Sequence, residues 1–144
     1  MNPHLFIVGC GRSGTTLLQR LVDAHRDITI IHETHWIAKW YDRRKGVSPV
    51  GLATLKLVSE LAEYYRLARW PIEREDLEQL VPTNGSVSYA DFVTGFFDLY
   101  GERQGKLFAE TSTRSRYLST DHAFTFWIWT CTVKEIRGWT LATS

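Results

Sequence analysis

The chain opens with apolar and polar positions in blocks rather than in alternation. Leu5-Phe6-Ile7-Val8 is a short continuous apolar run, the pattern of a strand covered on both faces. It gives way to Gly9-Cys10-Gly11-Arg12-Ser13-Gly14, and behind Thr15 and Thr16 the residues Leu17, Leu18, Leu21 and Val22 recur at helical spacing. A strand, a glycine turn and a helix start form an arrangement suited to phosphate. Loop glycines let backbone amides approach an anion, and the first turn of the helix adds unpaired N–H groups and the positive end of its dipole.

The same reading continues along the chain. His25-Arg26-Asp27 is a turn, and Ile28-Thr29-Ile30-Ile31 is a β-branched strand that ends in His32-Glu33-Thr34-His35. Thr34 is placed to cap a helix that carries Trp36, Ile37 and Trp40 and runs to about Tyr41; Asp42 to Pro49 is a polar loop. Between Leu52 and Ala68 the positions Leu55, Val58, Leu61, Ala62 and Tyr65 mark one helical face. Glu73 to Glu78 suits a short helix that stops before Pro82, and Asn84-Gly85 is a turn. Ser88 with Asp91 forms a capping pair, with aspartate in place of the longer glutamate. It precedes the stripe Tyr89, Phe92, Val93, Phe96, Phe97 and Tyr100, read as core packing, and Gly101 is expected to close that helix. Lys106 to Glu110 is a second parallel strand, followed by Thr111-Ser112-Thr113-Arg114. Strands separated by helices predict an α/β fold with a parallel sheet.

The glycine loop also narrows the ligand. A nucleoside-triphosphate loop places lysine directly after its second glycine, and here Thr15 stands at that position, with Arg12 as the loop's cation. The run from Gly11 to Leu18 resembles the 5′-phosphosulfate loop of sulfotransferases that use PAPS (3′-phosphoadenosine-5′-phosphosulfate). That resemblance continues through Leu21-Val22-Asp23-Ala24-His25 to Glu33-Thr34, covers about residues 4–36, and extends weakly to Tyr117. It points to the tyrosylprotein branch and its bacterial relatives, which carry a glutamate at the place of Glu33. What it implies is a P-loop nucleoside-triphosphate-hydrolase-like three-layer fold over a single domain, residues 1–144, with a helical insertion between about Thr34 and Gly101. The implied activity moves a sulfonate from PAPS to a hydroxyl or amine on a small molecule, protein or carbohydrate, leaving adenosine 3′,5′-bisphosphate.

Under that resemblance Gly11, Arg12, Ser13, Gly14, Thr15 and Thr16 bind the 5′-phosphosulfate, Arg12 also aids transfer, and Glu33 is the general base. The competing readings are a solvated loop arginine for Arg12, helix caps for Ser13 or Thr15, and a surface glutamate for Glu33. Glu110-Thr111-Ser112-Thr113 stands where the family often has a lysine that helps the transition state. Arg114 or Arg116 is a substitute on which the sequence is silent. Ile136-Arg137-Gly138-Trp139, with Ser144, faintly resembles the family's 3′-phosphate signature, a strand followed by an Arg and then a Ser, with the spacing off by one and the second basic residue missing. Trp36, Trp40 and Tyr41 are candidate acceptor-pocket residues.

Composition changes the picture mainly by exclusion. A net charge of +1 and a longest basic run of Arg43-Arg44-Lys45 give no support to a nucleic-acid partner. His32 and His35 lack the spacing of a zinc helix motif and have no evident third ligand, so no metal is expected. Cys10 and Cys131 suit a reduced chain. With no signal pattern, and an apolar run from Phe124 to Val133 too short for a bilayer, the expectation is a cytoplasmic protein without a membrane partner. Oligomeric state is left open. From Ser119 the helical period is lost while Trp127, Trp129 and Trp139 crowd the end, so residues 118–144 read as a truncated or out-of-frame tail. Two rival functions follow: an inactive sulfotransferase fragment, and a P-loop nucleotide kinase, which the absent loop lysine disfavours.

Overall fold

The computed structural model describes residues 4–9, 14–32, 34–82, 87–114 and 127–131. It is a mixed α/β structure around a small sheet. Strand β1 (His4–Gly9) leads to helix α1 (Thr15–Asp23), which returns to β2 (Ile28–His32). A largely helical stretch follows: α2 (Trp36–Asp42), the short strand β3 (Leu52–Ala53), α3 (Leu55–Ala62), a 3-10 turn Leu67–Arg69 and α4 (Arg74–Gln79). After β4 (Val87–Ser88) comes the long α5 (Tyr89–Arg103), then β5 (Phe108–Arg114) and β6 (Trp127–Cys131).

The sheet order is β2-β5-β1-β6, so β5 inserts between the first two strands of the chain. β5 is parallel to both neighbours, pairing Ile31 with Thr111 on one side and Phe6 with Thr111 on the other. The expectation of a parallel sheet holds for these three strands and is corrected at the fourth. β6 is antiparallel to β1, with Trp127 opposite Val8 and Cys131 opposite His4. The long uncharged run around it, rich in β-branched and aromatic residues, has the β-propensity that an absent helical period leaves in view. β5 also differs from its expected bounds. It starts at Phe108 and continues through Thr111-Ser112-Thr113-Arg114, because two neighbouring ladders hold these residues extended.

The core lies largely among the helices, with Ile31 of β2 and Ala109 of β5 joining it from the sheet. Tyr89, Phe92, Val93, Phe96 and Phe97 of α5 are buried, as the aromatic stripe predicts. Trp36 meets them edge-on, with its ring centroid 5.3 Å from Phe96 and 6.4 Å from Phe92, and Trp40 lies 6.0 Å away. Ser88 caps α5 by accepting the Asp91 N–H at 3.0 Å. The shorter aspartate accepts the Ser88 hydroxyl at 2.6 Å, where a glutamate would reach back to the backbone.

Three helix readings are corrected. Gly101 lies inside α5, where an added Cβ would stand 3.0 Å from the Lys106 carbonyl and 3.4 Å from Ala109 Cβ. The helix ends past it, with the Lys106 N–H donating to the Gly101 carbonyl at 2.9 Å and that of Gly105 to Glu102 at 2.9 Å. The helix predicted from Leu52 is broken into β3, α3 and the 3-10 turn. Its buried face is Leu57, Val58 and Leu61, leaving Leu55 and Tyr65 exposed. α2 starts at Trp36 with His35 at its N-cap and no side-chain cap bond; Thr34 contributes its carbonyl, which accepts the Ile37 N–H at 3.1 Å.

Candidate functional site

The C-terminal ends of parallel strands are where ligands bind in open α/β sheets, and here three such ends share one edge. β1 arrives with Ile7 fully buried and stops at Gly9. Cys10, Gly11, Arg12 and Ser13 lie outside the described residues. The chain is described again from Gly14, the N-cap of α1, at φ 84° and ψ 11°. That left-handed backbone costs any other residue a Cβ clash, so the glycine is required where the chain turns into the helix. Its carbonyl accepts the N–H groups of Leu17 and Leu18 at 2.9 and 3.0 Å. Thr15 and Thr16 thus occupy the first turn, ahead of the first intrahelical donor, half-buried and exposed respectively. With Gly14 as the cap and no side-chain cap bond, Thr15 is the first residue inside the helix and not its cap.

β2 ends at exposed His32; Glu33 lies outside the described residues, and Thr34 beyond it is buried. The ladders fix the heights of the strand ends. His32 is level with Ser112, Ser112 with Ile7, and Gly9 with Arg114. β1 and β2 are two strand spacings apart, about 10 Å, with β5 between them. The sequence places Arg12 and Glu33 directly after strands that stop at this edge. Arg137 and Ser144 also lie outside the described residues, and β6 runs away from the edge, ending beside His4.

The opposite edge is held by a cluster that the sequence reading missed. Asp23 Oδ1, at the end of α1, accepts the Thr29 hydroxyl at 2.9 Å and the Ile30 N–H at 3.0 Å. Lys106 Nζ donates to the Ile28 carbonyl at 2.8 Å and stands 3.6 Å from Asp23 Oδ1. Burial works to raise the Asp23 pKa, but these hydrogen bonds and Lys106 outweigh it and hold the carboxyl below its ordinary range. α1 and β2 are thereby clamped to the start of β5, far from the loop. No short motif announces such a cluster, since its members are 83 positions apart.

Two of the three aromatic acceptor-pocket candidates are corrected. Trp36 and Trp40 are core residues, 1% and 6% exposed, packed against α5 and Tyr64. Tyr41 is half-buried, with the Arg44 guanidinium 4.9 Å above its ring. Among the described residues no cluster of three or more His, Cys, Asp or Glu could hold a metal ion. No helix among them is long and apolar enough to cross a membrane.

These features describe a mixed α/β protein in which the strands that precede Arg12 and Glu33 in the sequence end at one edge of a small parallel set. The family model described as the Sulfotransferase family matches residues 3–106, taking in the glycine loop, the end of β2 and the helices through α5. The chain belongs to the sulfotransferase family. No curated protein and no solved structure matches it.

Proposed function

We propose that this chain is a PAPS-dependent sulfotransferase with a P-loop-like donor site, related to the tyrosylprotein and bacterial branch. The observation that carries the reading is the β1–glycine turn–α1 crossing, with Gly14 left-handed at the helix start. It stands at the sheet edge where β2 also ends, in a chain of this family. The first-turn amides and hydroxyls of Thr15 and Thr16 fit an anion, and Arg12 supplies the loop's positive charge. PAPS, when bound, brings the activated sulfonate.

In the proposed transfer the acceptor oxygen attacks sulfur in line. The bond from sulfur to the bridging oxygen breaks, and its electron pair leaves on the phosphate. The acceptor proton passes to Glu33. Arg12, with its forked guanidinium, holds the phosphosulfate oxygens in pairs and steadies the charge that develops. Gly11 and Ser13 complete the cradle in this reading. The acceptor is a hydroxyl or amine compound, protein or glycan, and the location proposed is the cytoplasm.

Calorimetric titration with adenosine 3′,5′-bisphosphate tests the donor site. Micromolar binding that Arg12→Ala removes is the expected result, and a folded wild-type chain that takes up no heat would sink the reading. Glu33→Gln should leave that binding intact and reduce turnover of PAPS by roughly 10²- to 10⁴-fold. One observation favours a second reading, a catalytically silent donor-binding fragment: the antiparallel β6 carries the chain away from the site edge before Arg137. Bisphosphate binding without turnover on any acceptor would select it.

A further inference from the structure

An edge strand carries a row of backbone groups that its own sheet does not use, and left bare it is a template for another strand. In the order β2-β5-β1-β6, β2 is such a strand among the described residues. Its register shows which groups face away from the sheet. The Phe108 N–H donates to the Asp27 carbonyl at 2.9 Å, and Phe108 is the Cα partner of Ile28. Backbone groups along a strand point alternately to either side, so Asp27, Thr29 and Ile31 face β5, while Ile28, Ile30 and His32 face outward. Two of the outward groups are taken by side chains from elsewhere in the chain. Asp23 Oδ1, at the end of α1, accepts the Ile30 N–H at 3.0 Å, and Lys106 Nζ, just ahead of β5, donates to the Ile28 carbonyl at 2.8 Å. These two side chains are themselves tied together. Lys106 also donates to the Asp23 carbonyl and stands 3.6 Å from the Asp23 carboxylate, which accepts the Thr29 hydroxyl as well. Ile30 is 3% exposed, although its strand ends the sheet.

We propose that Asp23 and Lys106 are edge guards: they occupy the outward hydrogen-bonding groups of β2 and keep it from pairing with β2 of a second copy of this chain. The occupant follows from the strand itself. β2 carries no Asp, Glu, Lys or Arg, and Ile28-Thr29-Ile30-Ile31 is β-branched throughout, so two copies laid antiparallel bring no carboxylate or ammonium against its like. Centred on Ile30, the two strands would exchange the N–H and C=O of that residue, and the two-fold axis closes the pair at a dimer. Asp23 Oδ1 stands where the second copy's Ile30 carbonyl would accept. Both guards lie at the end of the sheet away from the glycine turn, so the device is independent of the sulfotransferase reading.

The experiment is sedimentation velocity over a concentration series, with amide hydrogen exchange at Ile30. It uses the full chain as wild type, Asp23→Asn, Lys106→Met, Asp23→Ala and the double variant Asp23→Ala/Lys106→Met, each checked by its thermal melt. In dilute solution the Ile30 amide of Asp23→Ala should exchange about tenfold faster than in wild type, the loss of one hydrogen bond to a charged acceptor. As concentration rises, Asp23→Ala and the double variant should double in mass relative to wild type, and Ile30 should regain its protection. Asp23→Asn, which keeps an acceptor oxygen, should behave as wild type. If Asp23→Ala does not fold, Lys106→Met decides the question by the same doubling, since it frees the Ile28 carbonyl and leaves both Asp23 bonds in place. Folded variants that keep the wild-type mass at every concentration overturn the proposal. So does association that leaves Ile30 exchanging rapidly, or a doubling that Asp23→Asn shares.

Discussion

Single residues in this chain are constrained by backbone geometry as much as by chemistry. Gly46 has φ 69°, and a Cβ added there would run into the Leu57 backbone at the start of α3. Gly46→Ala should therefore cost about 2–4 kcal/mol, left-handed strain and overpacking together, read as a lower urea midpoint with an unchanged slope. Asp76 shows charge at the same scale. Its carboxylate accepts the Glu73 N–H and pairs with Arg103, and these two bonds, in that order, hold its pKa below the ordinary value of 3.8. A depressed folded pKa gives stability that is fully present above the unfolded value and is lost as pH falls through the folded one. Urea midpoints should thus drop as pH falls below about 4, and Asp76→Asn should flatten that dependence. Gly14, singled out in the sequence by its place in the glycine turn, has a left-handed angle that explains why no other residue serves there.

Among the elements, the helices with strong periodicity were the most legible. α5 was readable from its aromatic stripe and from Ser88, because local spacing and capping chemistry decide such a helix before any partner is chosen. Ser88→Ala should lower stability by about 1 kcal/mol, since the Asp91 N–H loses its acceptor, and Phe96→Ala by about 3–5 kcal/mol through the cavity it leaves; thermal melts of both variants check the order. The stretch from Leu52 to Ala68 was not legible in this way. Its apolar spacing fits one helix, but pairing of Leu52 and Ala53 with Ser88 and Val87 breaks it, and a partner some 35 residues away lies outside any local window. β5 shows the same limit. Its polar second half reads as a loop, and only two flanking strands make it extended.

At the scale of the whole molecule, the sheet order brings the ends of β1, β5 and β2, far apart in the chain, to one edge. Inserting β5 between β1 and β2 sets the ends of those two strands, Gly9 and His32, about two strand spacings apart with the end of β5 between them. A donor that spans this edge should discriminate by its anionic groups. Adenosine 3′,5′-bisphosphate should therefore bind without magnesium, and ATP with magnesium should not displace it at comparable concentration. Competition the other way, with magnesium required, would restore the nucleotide-kinase reading that Thr15 in the lysine position disfavours.

The strand–glycine–helix beginning, the aromatic helix and the family could be read from the amino acids alone, because each depends on residues close together in the chain whose spacing carries the physics. The tertiary structure alone decided which strands are neighbours, that β6 runs antiparallel, that Trp36 and Trp40 are core and not pocket, and that Arg114 stands level with Gly9. Register and burial are relations between distant segments. They are fixed when backbone hydrogen bonds and apolar surfaces find partners across the fold, and no local pattern of side chains encodes that choice.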